Sequence, residues 1–288
     1  MIELLTSPWR PTLRELLASV HDDLLIASPF IKTSEAQWAC GVVQAHAPAR
    51  LRLTILTDVR SESVLSGALD LNALQTFAKS MPETQIVTLP QLHAKVYVAD
   101  DAAAIVTSGN LTSAGLDSNY EYGIALRDPS VVSQIRRDLE AYARIGNRLA
   151  LEVLESLTAI GEELAAEYQE LQRSTKAGLR QRFTHKLREA KHQFLRAQVG
   201  SRSANSVFSE AIVYVLSHGP LTTRELHPRI QRLLPDLCDD TAELIINGER
   251  FGKRWKHAVR NAQQFLKGGG LVTFDGRRWS LTGSTWPE

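Results

Sequence analysis

The sequence predicts an α/β layered domain with a mainly parallel or mixed sheet, followed by a helical stretch and a small basic C-terminal unit. Three features point to this order. Up to residue 148, short apolar runs alternate with amphipathic ones; from Pro129 to about Gln198 strand signals vanish; and beyond the polar run "GSRSANS", Gly200–Ser206, three helical segments and a hairpin follow.

In the first part "TLRELLASV" is an amphipathic helix, while "DLLIASPFI", "LRLTILTDV", "TQIVTLP", "HAKVYVAD", "AAIVTSG" and "EYGIALRD" are strands. Several of these strands lack polar alternation. Together with the helices "SEAQWACGVVQAHA" and "LDLNALQTFAKS", that describes a sheet covered on both faces. The expected organisation is a catalytic candidate over residues 1–150, a helical connector over 151–200 and a separate unit over 201–288.

At 288 residues and 43% hydrophobic content the chain can bury a substantial core. No apolar run approaches the roughly 18–20 residues needed to cross a bilayer, and no leader-like segment opens the sequence, so a soluble cytoplasmic protein without a membrane partner is expected. Cys40 and Cys238 are the only cysteines and have no Cys/His cluster beside them, so they are expected as reduced thiols, with neither disulfide nor metal site. The 33 basic and 32 acidic residues nearly cancel but are segregated: residues 151–170 hold six acids and no base, and 171–200 hold eight bases and one acid. The C-terminal unit is also net basic, which suits either a solvated face or a polyanion-binding surface.

The polar residues of the "HAKVYVAD" strand set the chemistry. Residues two apart on a strand share a face, so His93, Lys95 and Tyr97 point one way. A buried strand has no structural use for an imidazole beside an ammonium, because an unpartnered ammonium is costly out of water. Asp100 follows five residues after Lys95; Ser108 and Asn110 follow in "TSGN", and Asn119 and Glu121 in "NYEYG".

The pattern His-x-Lys-x4-Asp, then Ser-x-Asn, then Asn-x-Glu, closely resembles the catalytic motif of the phospholipase D superfamily. The likeness covers about residues 1–150 and departs at Thr107, where that family usually has Gly. It implies a layered α-β-α domain and a phosphodiesterase that needs no metal or other cofactor. In that chemistry His93 attacks phosphorus to form a phosphohistidine, while Lys95 and Asn110, with Ser108 in support, hold the phosphoryl oxygens. Glu121 accepts a hydrogen bond from the far ring nitrogen of His93, and Asp100 and Asn119 are supporting residues, Asp100 more structural than reactive. A second His must protonate the leaving oxygen. The chain has one copy of the motif, and His21, His46, His185, His192, His218, His227 and His257 lie in other contexts. The second His93 and Lys95 are therefore expected from another subunit, in a homodimer with its site on a two-fold axis.

In the C-terminal unit, helices at "FSEAIVYVLSHG", "TTRELHPRIQRLL" (N-capped by Thr222 or Thr223) and "GKRWKHAVRNAQQFLKGGG" precede the hairpin "LVTFDGRRWSLT". That is the order of a winged helix-turn-helix, and the segment resembles the winged-helix domain at the ends of some restriction endonucleases. Trp255, Val259, Ala262 and Leu266 form a core stripe. Lys253, His257, Arg260 and Gln264 face away from it, with Lys256 and Lys267 flanking and Arg277 and Arg278 at the hairpin tip; this surface suits DNA or RNA. The favoured function is a metal-independent nuclease, with restriction or anti-phage defence, and protein partners from such a system, as a setting by analogy. The alternatives are a phospholipid-headgroup enzyme and a non-catalytic DNA-binding protein that uses the same fold to dimerise.

Overall fold

The computed structural model describes residues 2–46, 50–173, 177–200, 202–246 and 249–282. They form two compact units, Met1–Gly200 and Ser201–Glu288.

The first unit is built on one mixed sheet. Its elements in chain order are β1 (Ile2–Thr6), α1 (Arg10–Ala18), β2 (Asp23–Ala27), α2 (Thr33–His46), β3 (Arg52–Thr57), α3 (Ser61–Leu65), α4 (Leu71–Ser80), β4 (Thr84–Thr88), β5 (Val96–Ala99) and β6 (Ala103–Thr107). A π-helical turn, Ala114–Ser118, then leads into β7 (Tyr122–Leu126), α5 (Pro129–Ile145), β8 (Asn147–Leu149), α6 (Leu151–Arg173) and α7 (Ala177–Val199). The eight strands run in the order β1-β7-β6-β5-β2-β3-β4-β8. Pairing is parallel within β2-β3-β4 and antiparallel elsewhere. The mixed sheet that the sequence predicts is thus present, with its parallel Leu-, Ile- and Thr-rich strands lying toward the β8 edge. The short edge strands β1 and β8 were not expected.

The two faces differ in cover. Leu24, Ile26, Tyr97 and Ile105 share one hydrophobic core with Trp9, Leu13 and Leu17 of the α1 region and with residues of α2 and α4. By strand alternation Leu25, Val98 and Ala104 point to the opposite face, where α5 packs against β6. Beyond α5 that face runs out onto the sheet edge. Ile2 and Leu4, in register with Leu126 and Ile124, and Tyr122 are 68%, 67% and 60% exposed.

Residues 151–200, expected as a connector, fold as a helical pair within the first unit, packed against α3, α4 and β8. Phe194 and Ala197 enter its core, Gln198 donates to the Val59 carbonyl at 3.1 Å, and Asn147 donates to the Ala197 carbonyl. The charge segregation has a local use there, since Lys186 of α7 pairs with Glu163 and Glu167 of α6. Part of the stretch, including the side chain of His192, lies outside the described residues.

The second unit comprises α8 (Ala204–Ser217), α9 (Thr223–Leu233), β9 (Glu243–Ile246), β10 (Glu249–Lys253), α10 (Arg254–Gly268), β11 (Val272–Phe274) and β12 (Trp279–Leu281). Thr222 caps α9 in a reciprocal box with Glu225. β11 and β12 pair antiparallel, and Leu221 forms an isolated antiparallel bridge with Trp279. The antiparallel pair β9–β10, inserted before α10, was not expected.

Asp100 closes the turn between β5 and β6 with φ of 48°, and its carboxylate accepts from the amides of His21, Asp22 and Asp23 at 2.8–2.9 Å. Burial pushes its pKa up, but those three amides outweigh burial and hold it below the ordinary carboxylate value. A depressed folded-state pKa contributes stability above the unfolded value and loses it as pH falls below about 4. Asp100→Asn tolerates the left-handed backbone but removes the charge. It should cost about 1–2 kcal/mol near neutral pH by urea unfolding, with the gap from the wild type narrowing as pH is lowered toward 3.

Candidate active site

The antiparallel ladders bring the start of β5, the end of β6 and the start of β7 to one end of the sheet, pairing Val96 with Val106 and Thr107 with Gly123. Ala27, the last residue of β2, pairs with Val96 and ends there too. His93 and Lys95 precede β5 on extended chain rather than lying within it. Lys95 nonetheless enters the ladder, its carbonyl accepting from the Thr107 amide at 3.0 Å.

The two side chains meet. Lys95 Nζ lies 3.2 Å from His93 Nε2 and 3.3 Å from Nδ1, and donates to the His93 carbonyl at 2.9 Å. A neutral imidazole has a lone pair on only one nitrogen, so the ammonium has at most one ring acceptor. His93 is exposed, whereas Lys95 is only 6% exposed. Burial lowers the Lys95 pKa and the charge of Glu121 partly restores it. This places a desolvated cation under an accessible ring.

Ser108 and Glu121 face each other across β6 and β7. Ser108 Oγ donates to Glu121 Oε2 and accepts from the Tyr122 amide at 3.1 Å, and Asn119 Nδ2 donates to Glu121 Oε1 at 3.1 Å. The expected His93–Glu121 hydrogen bond is therefore not the arrangement present. The carboxylate is held by Ser108 and Asn119, and reaches Lys95 through its field. Asn110 follows on the loop, its side-chain Oδ1 buried without a donor. Asp100 sits at the far end of β5, where it caps backbone and takes no part in this cluster.

The loop carrying these groups is drawn tight by close backbone approach. A Cβ on Gly109 would lie 2.7 Å from the Gly115 oxygen and 2.8 Å from Trp9 Cζ2, and one on Gly115 would lie 2.5 Å from the Asn110 oxygen. Trp9 Nε1 donates to the Gly115 carbonyl at 2.6 Å, and Tyr97 OH donates to the Gly109 carbonyl at 3.3 Å. The rings of Trp9 and Tyr97 stand 5.5 Å apart, and burial pushes the Tyr97 phenol up. Tyr97, expected on the His93 face, serves the loop from beneath. Trp9 carries no sequence signal that separates it from an ordinary core residue; its role shows only in the fold. Thr107, at the usual Gly position, accepts the Gly109 amide at 3.2 Å.

Among the described residues no three His, Cys, Asp or Glu side chains group as a metal site would need, and no helix is long and apolar enough to cross a membrane. Cys40 and Cys238 are buried free thiols, each pushed up by burial, to about 11 and about 12.

In the second unit the stripe Trp255, Val259, Ala262 and Leu266 is buried as expected. On the other side Arg260, Gln264, Lys267, Arg277 and Arg278 are exposed, while Lys253, Lys256 and His257 are half-buried. Two of these expected contacts already have partners: Lys253 donates to the Asp240 carbonyl and His257 Nε2 lies 2.6 Å from the Phe251 carbonyl. His227, outside the motif, packs beside α10. It is half-buried, 5.4 Å from the Trp255 ring, and its pKa is lowered by burial, then by Lys256 and Arg260.

A family model described as "Cardiolipin synthase, PLD-like domain" matches residues 13–143. The structure is similar to Nuc, a phospholipase D family member from Salmonella typhimurium, at 16% identity and TM-score 0.43, over 51% of this chain and 97% of that one. It is also similar to NucT from Helicobacter pylori, at 15% identity and TM-score 0.41, over 49% and 94%, and to a phosphatidylserine synthase from Haemophilus influenzae, at 15% identity and TM-score 0.47, over 60% and 45%. No curated protein matches the sequence. The family match spans most of the sheet and its helices, so that residues 13–143 are similar to a PLD-like domain, with His93, Lys95, Ser108, Asn110 and Glu121 gathered at one end of that sheet.

Proposed function

We propose that this protein is a metal-independent phosphodiesterase acting on nucleic acid, DNA first, through a phosphohistidine at His93. The observation that carries the reading is the accessible His93 ring seated on the desolvated Lys95 ammonium. An anionic phosphodiester repels nucleophiles, and a buried cation beside an imidazole offsets that repulsion where charge develops. Lys95 and Asn110 bind the phosphoryl oxygens and Ser108 supports them. When His93 attacks, Glu121 exchanges its bond from Ser108 for one to the imidazole and stabilises the charged ring. Asn119 keeps the carboxylate aimed.

The leaving oxygen needs a proton, and the second His93 comes from a second copy of the chain. The bare sheet face at Ile2, Leu4 and Tyr122 supports this: it is apolar and adjoins Glu121 through Tyr122. The second unit we read as a winged helix, from the order α8, α9, α10 and the β11–β12 hairpin with its Leu221 bridge. Arg260 and Gln264 of α10, with Lys256 beside them, meet the groove, and Arg277 and Arg278 meet the backbone at the wing. Lys253 and His257 brace the β9–β10 region and contribute less. A restriction or defence setting in the cytoplasm fits such a pairing of units.

Three outcomes are expected. Labelled single- and double-stranded DNA should be cut in excess chelator, and His93→Ala should lower the rate by about 10³-fold or more; loss of wild-type cleavage on chelation alone would contradict the mechanism. Leu4→Asp, on the exposed face, should weaken self-association by about tenfold or more in sedimentation, and activity at low protein concentration should fall with it. Arg260→Ala should weaken DNA binding and reduce the slope of log affinity against log salt by about one; unchanged binding would place the nucleic-acid surface elsewhere.

A further inference from the structure

Ser7 and Trp9, just ahead of α1, and Arg10, its first residue, touch the site loop at successive points. Ser7 Oγ accepts from the Glu121 amide at 3.1 Å, the Trp9 amide donates to the Leu116 carbonyl at 3.0 Å, and the Trp9 indole holds Gly115. Arg10 completes the series: Nε donates to Asp117 Oδ1 at 2.9 Å and Nη2 to Asp117 Oδ2 at 2.6 Å. Its Nη2 also reaches Glu35 Oε1 at 3.2 Å, and its guanidinium lies 4.7 Å from the Trp38 ring centroid. Glu35 is buried in α2 and accepts a second bond from Ser34 Oγ. Arg10 thus ties a fixed point of the helical layer to the middle of the π-helical turn. Asp117 stands two residues before Asn119, which orients the Glu121 carboxylate, and four before Glu121 itself.

We propose that the Arg10–Asp117 pair is a positioning device for the phosphodiesterase site, setting Asn119 and Glu121 relative to His93; this rests on the function proposed above. Neither residue belongs to the reacting group. The pair acts through the turn. A planar guanidinium suits this task because it can bind one carboxylate with two nitrogens and still reach another. A carboxylate that must meet a ring only during attack is sensitive to small displacements, since misplacement by about 1 Å can cost about a hundredfold in rate.

The choice of variant follows from burial. Arg10→Ala would leave the buried Glu35 carboxylate without its cation and risks the fold. Asp117→Asn cuts only the loop end of the tie and leaves the Arg10–Glu35 contact in place. In the full-length protein, hydrolysis of bis(p-nitrophenyl) phosphate by Asp117→Asn should show kcat lowered about tenfold with KM nearly unchanged and thermal midpoint close to the wild type. Arg10→Lys, which keeps the charge but not the fork, should fall between the two. Amide exchange adds a readout independent of turnover: the Glu121 amide, bonded to Ser7, should exchange faster in Asp117→Asn. Wild-type kcat together with unaltered exchange would overturn the proposal, as would a kcat loss that merely tracks loss of folded protein. A wild-type enzyme inert toward phosphodiesters would remove the assigned reaction, yet exchange at Glu121 would still decide whether Asp117 holds the loop.

Discussion

The antiparallel register of β5, β6 and β7 is the constraint on which the rest depends. Val96 opposite Val106 and Thr107 opposite Gly123 fix where three chain crossings meet the end of the sheet. His93 and Lys95 enter the first crossing, Ser108 and Asn110 leave the second, and Glu121 enters the third. A slip of one residue in either pairing would turn every side chain on that strand to the other face. Residues nearly thirty positions apart in sequence thereby become neighbours without any of them having to pack the core.

What the ladder brings together, electrostatics then arranges. Lys95 is buried and its pKa is lowered by that burial, so holding its charge draws on nearby oxygens, the His93 carbonyl and the field of Glu121. Glu121 in turn is satisfied by Ser108 and Asn119. Each charged group therefore has a local partner, and the attack proposed above asks only for an exchange of hydrogen bonds among adjacent residues.

Much of the site was legible in the sequence because its residues violate local expectation: an ammonium and an imidazole two apart beside a buried strand, then polar pairs where strands end. The strands were legible from their apolar runs for the same reason. β1 was not, since "IELLT" is an edge strand with one bare face and reads as neither clean alternation nor buried run. Trp9 and Arg10 were illegible for a different reason. A Trp before a helix looks like core, and an Arg at a helix start looks like surface; only tertiary contact shows them reaching Gly115 and Asp117 more than a hundred positions on. In the second unit the stripe of α10 followed from helical spacing, whereas the β9–β10 pair has exposed strands with no periodic signal strong enough to announce it.

The pairing of β1 with β7 joins residues 2–6 to residues 122–126. During synthesis from the N-terminus, the segment that ends in Arg10 is made early but has nothing to hold until the chain has grown past Leu126. Contacts of such sequence separation form late, because loop closure must be met before they contribute. The tie from Ser7, Trp9 and Arg10 to the turn therefore closes only after β7 has been made, and a nascent chain that has already exposed His93 and Lys95 still lacks the turn and the strand that carry Asp117 and follow Glu121.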